Sequence, residues 1–126
     1  MKFKAVQKVN PQDREGPRKW YAQVVNTGDT TIDDLVKEIE KFSALSEPDI
    51  RGVIIGLENT VQNHLAQGKI VRFDRLGTLY PSLSSTPSDT EEEVNVANIK
   101  SVKVNYRAGK RIMDAMKSVP KKKVKQ

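Results

Sequence analysis

The chain has 126 residues, of which 37% are hydrophobic and 6% aromatic, and a net charge of +6. This length fits one domain, and the small supply of large apolar residues predicts that a second copy completes the core. Cysteine is absent and no apolar run is as long as a membrane span or a signal peptide. These facts exclude disulfides and thiolate metal sites, and they predict a soluble cytoplasmic protein that does not contact membranes.

The first 29 residues predict a β-hairpin. Residues 2–9 alternate between apolar and polar side chains, and residues 19–25 form a second run of aromatic and β-branched residues. A polar, proline-containing loop over residues 10–17 separates the two runs, and residues 26–29 favour a turn after them. We therefore expect two paired strands at the start of the chain.

Two helices are predicted next. Thr30 or Thr31 caps the first helix, and Thr31 together with Asp34 fits a capping box. Ser46 caps the second helix, which ends at Gly68, a residue suited to a left-handed C-terminal cap. The second helix is apolar on two sides, so we expect either a partner subunit or the N-terminal hairpin to cover it.

The second half of the chain predicts a three-stranded sheet and a last helix. Its elements, in chain order, are strands over residues 69–73 and 76–83, a loop over 81–89, a returning strand over 94–106 and a helix over 108–119. Pro120 ends this helix, and a basic tail follows it.

Charge is distributed unevenly along the chain. Residues 1–20 carry a net charge of +4, residues 21–99 carry −7 and residues 100–126 carry +9. A basic block of this kind favours a polyanion as partner, and nucleic acid is the first choice. The alternative is that the C-terminal lysines are solvated and only keep the chain soluble.

No residue pattern indicates an active site. His64 is the single histidine, and it falls on the apolar side of the second helix, where we expect a boundary residue with a satisfied hydrogen bond. The chain has neither a P-loop nor a Gly-x-Gly-x-x-Gly motif. Glu91-Glu92-Glu93 cannot converge on one point, so we expect a solvated run rather than a cation site. The sequence therefore predicts a protein that is not an enzyme and uses no cofactor, metal or small-molecule substrate.

Two motifs give the most specific signal. Gly77-Thr78-Leu79 follows the helical pair, and Tyr106-Arg107-Ala108-Gly109-Lys110 precedes the last helix. With these motifs in this order, the chain from Thr30 to Val119 resembles the HU/IHF family of bacterial histone-like proteins. The N-terminal hairpin, the glutamate run and the basic tail resemble a divergent HU-like branch common in Bacteroidetes. The resemblance implies an α+β fold and an intertwined homodimer, with a helical base, a saddle-shaped sheet and two β-arms. It also implies DNA binding in the bacterial nucleoid.

The stretch between the two motifs departs from the family. Residues 80–99 contain four acids and neither Lys nor Arg, whereas the family's arms carry basic residues and a proline that inserts between bases. Acids that face phosphates repel them. Pro87 is the nearest candidate for an inserted wedge, but no cation flanks it. We therefore expect the arms not to grip DNA, so that the cations must come from other parts of the chain.

The charge pattern and the resemblance predict three parts of the chain, and DNA-binding cations on the sheet, at the junction with the last helix and in the C-terminal tail. The parts are an N-terminal β-hairpin extension (1–29), an HU-like DNA-binding domain (30–119) and a basic C-terminal tail (120–126). Lys110 matches the family's motif lysine, and the tail lysines are expected to supply flexible, sequence-independent phosphate contacts. The predicted DNA-binding residues are Arg72, Arg75, Lys100, Lys103, Arg107, Lys110, Arg111, Lys121, Lys122, Lys123 and Lys125.

The leading hypothesis is a homodimer that binds double-stranded DNA with little sequence preference, mainly through charge. The alternative is a protein-interaction or structural dimer that keeps the HU scaffold and has lost strong DNA binding. In the alternative, Trp20 and Tyr21 of the hairpin face a partner, whereas in the leading hypothesis Trp20 covers the second helix. Recognition of single-stranded RNA is disfavoured because the predicted sheet has no aromatic platform.

Overall fold

The computed structural model describes residues 1–125 and begins with a β-hairpin. Strand β1 (Lys2–Lys8) pairs antiparallel with β2 (Lys19–Val24), with Phe3 opposite Val24 at one end and Lys8 opposite Lys19 at the other. Side chains that lie opposite one another across the two strands share a face of the sheet. The predicted hairpin is confirmed, to within one residue at each strand end.

Two capped helices follow the hairpin, as predicted. They are α1 (Ile32–Phe42) and α2 (Glu47–Ala66). The Thr31 hydroxyl accepts a hydrogen bond from the Asp34 N–H at 3.3 Å, and the Asp34 carboxylate accepts one from the Thr31 N–H at 3.0 Å. The hydrogen bonds from the Thr31 backbone and then its hydroxyl lower the pKa of Asp34. Ser46 accepts a hydrogen bond from the first turn of α2 and caps it.

A second sheet follows Gly68, whose φ of +83° fits the predicted C-terminal cap of α2. Its strands are β3 (Val71–Arg72), β4 (Gly77–Ser85) and β5 (Ile99–Ala108). They pair antiparallel in the order β3-β4-β5. The predicted three-stranded sheet is confirmed, although β3 is shorter than the expected strand.

Strand β4 is longer than predicted, so the loop expected over residues 81–89 is wrong as far as Ser85. Pro81 lies within the strand, opposite Val104 of β5. Because β3 pairs with β4 only up to Leu79, one edge of β4 is open beyond that point. Proline is tolerated at an open edge, where its missing N–H breaks no ladder hydrogen bond.

Strand β5 begins later than predicted. The sequence favours a strand from Val94, but the strand starts at Ile99 and two 3-10 turns occupy most of residues 91–98. Asn95 and Asn98 form a capping box in which the Asn98 side chain accepts a hydrogen bond from the Asn95 N–H at 2.8 Å. These amide side chains satisfy backbone groups that a strand would otherwise pair.

The C-terminal segment joins the N-terminal hairpin. Helix α3 (Lys110–Lys117) is shorter than predicted, because Ala108 remains in β5. Strand β6 (Lys122–Lys123) then pairs parallel with β1, which gives a first sheet of order β2-β1-β6. The prediction of a flexible tail is therefore wrong for residues 122–123, and its last residue, Gln126, lies outside the described residues. The division at residues 29 and 119 stays a prediction.

The core of a single chain is small. Val36 of α1 and Ile50 of α2 are buried, and Asp33 forms an ion pair with Arg51 between the two helices. Trp20 keeps 67% of its surface exposed, so the expectation that it covers α2 is wrong for a single chain. Many large apolar side chains stay partly exposed, as the composition predicts.

Candidate nucleic-acid interface

Two glycines bring the two sequence motifs into contact. Gly77 starts β4 with a φ of +120°, and a Cβ atom there would collide with the carbonyl oxygen of Arg107. Gly109 is buried, and its N–H donates to the carbonyl oxygen of Leu76 at 3.4 Å. A Cβ atom at Gly109 would collide with the carbonyl oxygen of Arg75. Both positions therefore require glycine, and the turn between β3 and β4 lies against the start of α3.

The register gives the second sheet one polar face. Arg72, Thr78 and Arg107 lie opposite one another across the three strands, and Lys103 lies opposite Ser82 further along. Neighbouring strands are about 4.8 Å apart, which separates Arg72 from Arg107 by about 10 Å. None of the three strands contains an acidic residue. The polar sheet face, as we name it, consists of Arg72, Thr78, Tyr80, Ser82, Ser84, Ser101, Lys103, Asn105 and Arg107.

Tyr80 and Arg107 contact each other on this face. The Arg107 guanidinium carbon lies 5.5 Å from the centre of the Tyr80 ring, within the range of a cation–π contact. A guanidinium stacked in this way keeps N–H groups free for a phosphate. The Asn105 amide donates to the Ser82 hydroxyl at 2.9 Å. Tyr80 was missed as a site residue, although its position two residues after Thr78 places it on the same face.

A cavity of about 420 Å³ at the start of α3 adds further charges. Its lining comprises the cations Arg75, Lys110 and Arg111 and the acids Asp74 and Asp114. The Lys110 ammonium lies 3.1 Å from the Asp114 carboxylate, but the lysine side chain is 91% exposed, so this pair is weak. The N-cap residue of α3 provides no side-chain hydrogen bond. The first N–H groups of this helix thus remain open to an anion.

Lys100 lies apart from these cations. Ser84 pairs with Ser101 and Ser85 pairs with Ile99, so Lys100 is the extra residue of a β-bulge. It has no cross-strand partner and does not belong to the rows of the polar sheet face. That Lys100 contributes to DNA binding stays a prediction.

Two of the four lysines of the predicted tail lie in the first sheet, and the other two lie beside it. Lys122 and Lys123 form β6, and Lys121 and Lys125 flank it. All four are exposed. Besides Lys100, six of the predicted residues lie on the second sheet and its junction with α3: Arg72, Arg75, Lys103, Arg107, Lys110 and Arg111.

The far end of the β4–β5 ribbon is acidic. The connection between the two strands carries Asp89 and Glu91–Glu93, with neither Lys nor Arg. The Asn98 amide donates to the Thr86 hydroxyl at 3.1 Å and to the Ser88 hydroxyl at 2.9 Å, which closes the connection. This end of the ribbon is therefore a hydrogen-bonded, negatively charged cap of the sheet.

Three further observations on residues 1–125 concern metal ligands, the single histidine and the lengths of the helices. In this part of the chain, no group of three or more His, Asp or Glu side chains is placed to hold a metal ion. His64 is exposed in the last turn of α2. Across the same residues, none of the helices combines the length and the apolar character needed to cross a bilayer.

The helical pair, the glycine-linked motifs and the second sheet together define an HU-like domain. A family model described as an HU domain fused to a wHTH, Ig or glycine-rich motif matches residues 1–123, so the chain belongs to this family, HU-HIG. The predicted resemblance and the α+β fold are confirmed.

One solved structure supports the same fold. The chain is similar to a candidate bacterial DNA-binding protein from Bacteroides vulgatus, with a TM-score of 0.64 and 15% identity. The similarity covers 98% of this chain and 48% of that protein, so the chain spans about half the length of its structural neighbour. No curated protein matches the chain.

Proposed function

We propose that this protein is a histone-like homodimer of the bacterial nucleoid that binds double-stranded DNA without sequence preference. The observation that carries the proposal is the polar sheet face, where Arg72, Lys103 and Arg107 share one surface on strands that contain no acid. Basic side chains on such a face suit phosphate oxygens. HU-like domains are DNA-binding modules rather than enzymes, and the Bacteroides neighbour is described as a candidate DNA-binding protein.

Charge favours phosphate contacts over base reading. Proteins that read sequence place a helix or a β-ribbon in a groove, where its side chains contact base edges. Here the ribbon end that would enter a groove carries four acids and no cation, so phosphates repel it. Binding then depends on the polar sheet face and on the cations Arg75, Lys110 and Arg111 at the α3 junction. We expect little bending of the duplex, which fluorescence transfer between its labelled ends would measure.

The exposed surface supports the dimer. A single chain exposes 10961 Å², whereas a compact monomer of 14.2 kDa exposes about 6,800 Å². The excess is several times the roughly 800 Å² that one partner loses in a standard interface. An intertwined dimer, which buries more surface than a standard interface, accounts for such an excess.

An apolar groove gives the second copy a place to bind. The groove has a volume of about 460 Å³ and lies between α2 and the apolar face of the second sheet. Val61 and Leu65 of α2 line it, together with Pro81, Val102 and Val104 of the sheet. Val102 is 67% exposed and Val104 is 55% exposed. Covering such side chains contributes about 25 cal/mol per Å² of apolar surface, which favours association of two chains.

Sedimentation with and without a duplex tests both parts of the proposal, because it reports dimerisation and DNA binding together. Without DNA, we expect the protein to sediment as a dimer. With a duplex in low salt, we expect it to sediment as a dimer–duplex complex. The charge-reversed variant K110E/R111E should bind about tenfold more weakly. The control K37E/K41E makes the same charge change in α1 and should bind like the unaltered protein. A dimer that binds no duplex in low salt would contradict the DNA-binding part alone.

A second candidate function is protein interaction on the same scaffold. The observation that favours it is the acidic ribbon end, next to which Val94 and Val96 are 57% and 83% exposed. Trp20 of the hairpin is also exposed. DNA affinity that does not change in K110E/R111E would favour this function over the leading one.

A further inference from the structure

One face of the first sheet is rich in lysine. Lys2, Lys4 and Lys8 of β1 share this face with Lys19 of β2 and Lys122 of β6, and Val6 and Tyr21 lie between them. Strands β1, β2 and β6 contain no acidic residue. We name this surface the lysine face. Four of its five lysines are absent from the DNA-binding residues predicted above.

The opposite face of the same sheet is mainly apolar, although Gln7 and Lys123 also lie on it. Phe3 and Ala5 of β1 lie there with Trp20, Ala22 and Val24 of β2. Trp20 is 67% exposed and Val24 is 51% exposed in a single chain. On the lysine face itself, Lys2, Lys8, Lys19 and Lys122 are exposed and Lys4 is half-buried, so most of its ammonium groups are accessible to solvent.

Backbone hydrogen bonds fix the C-terminal lysine beside the N-terminal one. The Lys122 N–H donates to the Met1 carbonyl oxygen at 3.0 Å, and the Val124 N–H donates to the Phe3 carbonyl oxygen at 2.9 Å. The N-terminal ammonium of Met1 donates to the Pro120 carbonyl oxygen at 2.9 Å. Lys122 therefore occupies a set position on the sheet and is not part of a free tail.

The lysine face holds like charges close together without neutralising them. Lys8 lies directly opposite Lys19, and Lys2 lies directly opposite Lys122. Such like-charge pairs destabilise a sheet, and among residues 1–125 none of these lysines takes part in an ion pair. Lysines on edge strands can serve to prevent aggregation. That role fits β2 and β6 but not the three lysines of the central strand β1.

The dimensions of the lysine face suit a polyanion rather than a small ion. Alternate residues of a strand are about 7 Å apart, so the face extends about 20 Å along β1 and about 10 Å across three strands. One small anion could contact only a few of these ammonium groups. Duplex DNA, with a charge for about every 1.7 Å of its axis, presents phosphates over the whole length of the face.

We propose that the lysine face is a second phosphate-binding surface for duplex DNA, separate from the polar sheet face. This inference rests on the proposed function, which supplies the ligand. The phosphates come either from the flank of the duplex already bound or from a second duplex. The first source requires a long duplex, and the second requires two duplexes bound to the same protein.

The test uses the full chain and the variant K2Q/K8Q/K19Q/K122Q. Three quantities are measured: affinity for a duplex of about one helical turn, affinity for a duplex of about three turns, and capture of a labelled duplex by protein bound to a tethered one. We expect affinity for the short duplex to stay within about twofold of the unaltered protein. We expect a loss of about tenfold for the long duplex or in the capture assay.

Lys122 and Lys123 offer a matched control, because they are neighbours in β6 on opposite faces. The variants K122Q and K123Q change the net charge equally. We expect only K122Q to weaken long-duplex binding or capture, by about twofold to threefold. Without DNA, the thermal midpoint of the four-lysine variant should equal or exceed that of the unaltered protein, because two like-charge pairs are removed.

Each outcome decides the inference. A loss confined to the long duplex identifies the flank as the source of the phosphates, and a loss confined to capture identifies a second duplex. An equal loss on the short duplex, no loss in any measurement, or equal effects of K122Q and K123Q would each overturn the inference. If the unaltered protein binds no duplex, the proposed function fails as well. If it binds while the variant matches it throughout, only the lysine face is rejected.

Discussion

The two ends of the β4–β5 ribbon have opposite charge. The end beside α3 carries Arg107, with Arg72 in the same row. The far end carries Glu91–Glu93 and is closed by hydrogen bonds from the Asn98 amide. A domain with an HU-like fold can thus carry an acidic ribbon end. The proposed DNA-binding surface therefore follows from the positions of the charges and not from the fold alone.

Reversal of charge at the basic end of the β4–β5 ribbon should change duplex affinity more than any other variant. In the variant R72E/R107E, two acids per chain replace two cations on the polar sheet face, so phosphates are repelled. We expect duplex affinity to fall about 100-fold in low salt, as measured by fluorescence anisotropy. The control K37E/K41E should change duplex affinity by less than about twofold. A loss of similar size in the control would mean that net charge, rather than the position of charge, governs binding.

A substitution at Gly109 tests whether the contact between the start of α3 and the β3–β4 turn is needed for stability and for DNA binding. A Cβ atom at this position would collide with the Arg75 carbonyl oxygen, so Gly109→Ala should displace α3 and its cations from the turn. We expect unfolding to become easier by about 2 kcal/mol and duplex affinity to fall about tenfold. Chemical denaturation and anisotropy measure the two effects. An unchanged affinity would show that the α3 junction does not contact DNA.

Removal of charge from the acidic end of the ribbon should raise duplex affinity, by a smaller factor than the losses above. In E91Q/E92Q/E93Q, repulsion between the ribbon end and phosphates is reduced, so duplex affinity should rise about twofold to threefold in low salt. The gain should disappear in high salt because screening removes the repulsion. The control E38Q/E40Q in α1 should show little gain. Weaker binding by the triple variant would mean that the acidic end takes part in the complex.

The smallest effect concerns the capping box of α1. Hydrogen bonds from Thr31 lower the pKa of Asp34 in the folded chain. The carboxylate therefore stabilises the fold above its unfolded pKa, and this stabilisation is lost as the pH falls through the lowered folded value. Asp34→Asn should have a lower thermal midpoint than the unaltered protein at neutral pH, and the difference should shrink in acid below pH 3.8. A difference independent of pH would exclude the carboxylate charge as its cause.

Features set by neighbouring residues could be predicted from the sequence. The capping box of Thr31 and Asp34, the cap at Gly68 and the N-terminal hairpin depend on residues that are close in the chain. The motifs that contain Gly77 and Gly109 correctly indicated the family, and each of these glycines lies against backbone where a side chain would collide. Strand alternation likewise places Lys103 and Arg107 on one face.

Features that depend on distant pairing could not be predicted in the same way. The partner of β6 is β1, and no local pattern in a short lysine run indicates a parallel strand. The extent of β4 through Pro81 depends on where the partner strand β3 stops. The position of Lys100 depends on a bulge that appears only when β4 and β5 are aligned. The lysine face is the main consequence, since it combines residues from both ends of the chain.

The central claim is that charge on the polar sheet face binds duplex DNA, and a salt titration tests it most directly. Affinity is measured for two duplexes of equal length and unrelated sequence, with the unaltered protein and with R72E/R107E. We predict a steep linear fall of log affinity with log salt, the same for both duplexes, and a shallower slope for the variant. Affinity that does not respond to salt, or no binding even in low salt, would contradict the claim.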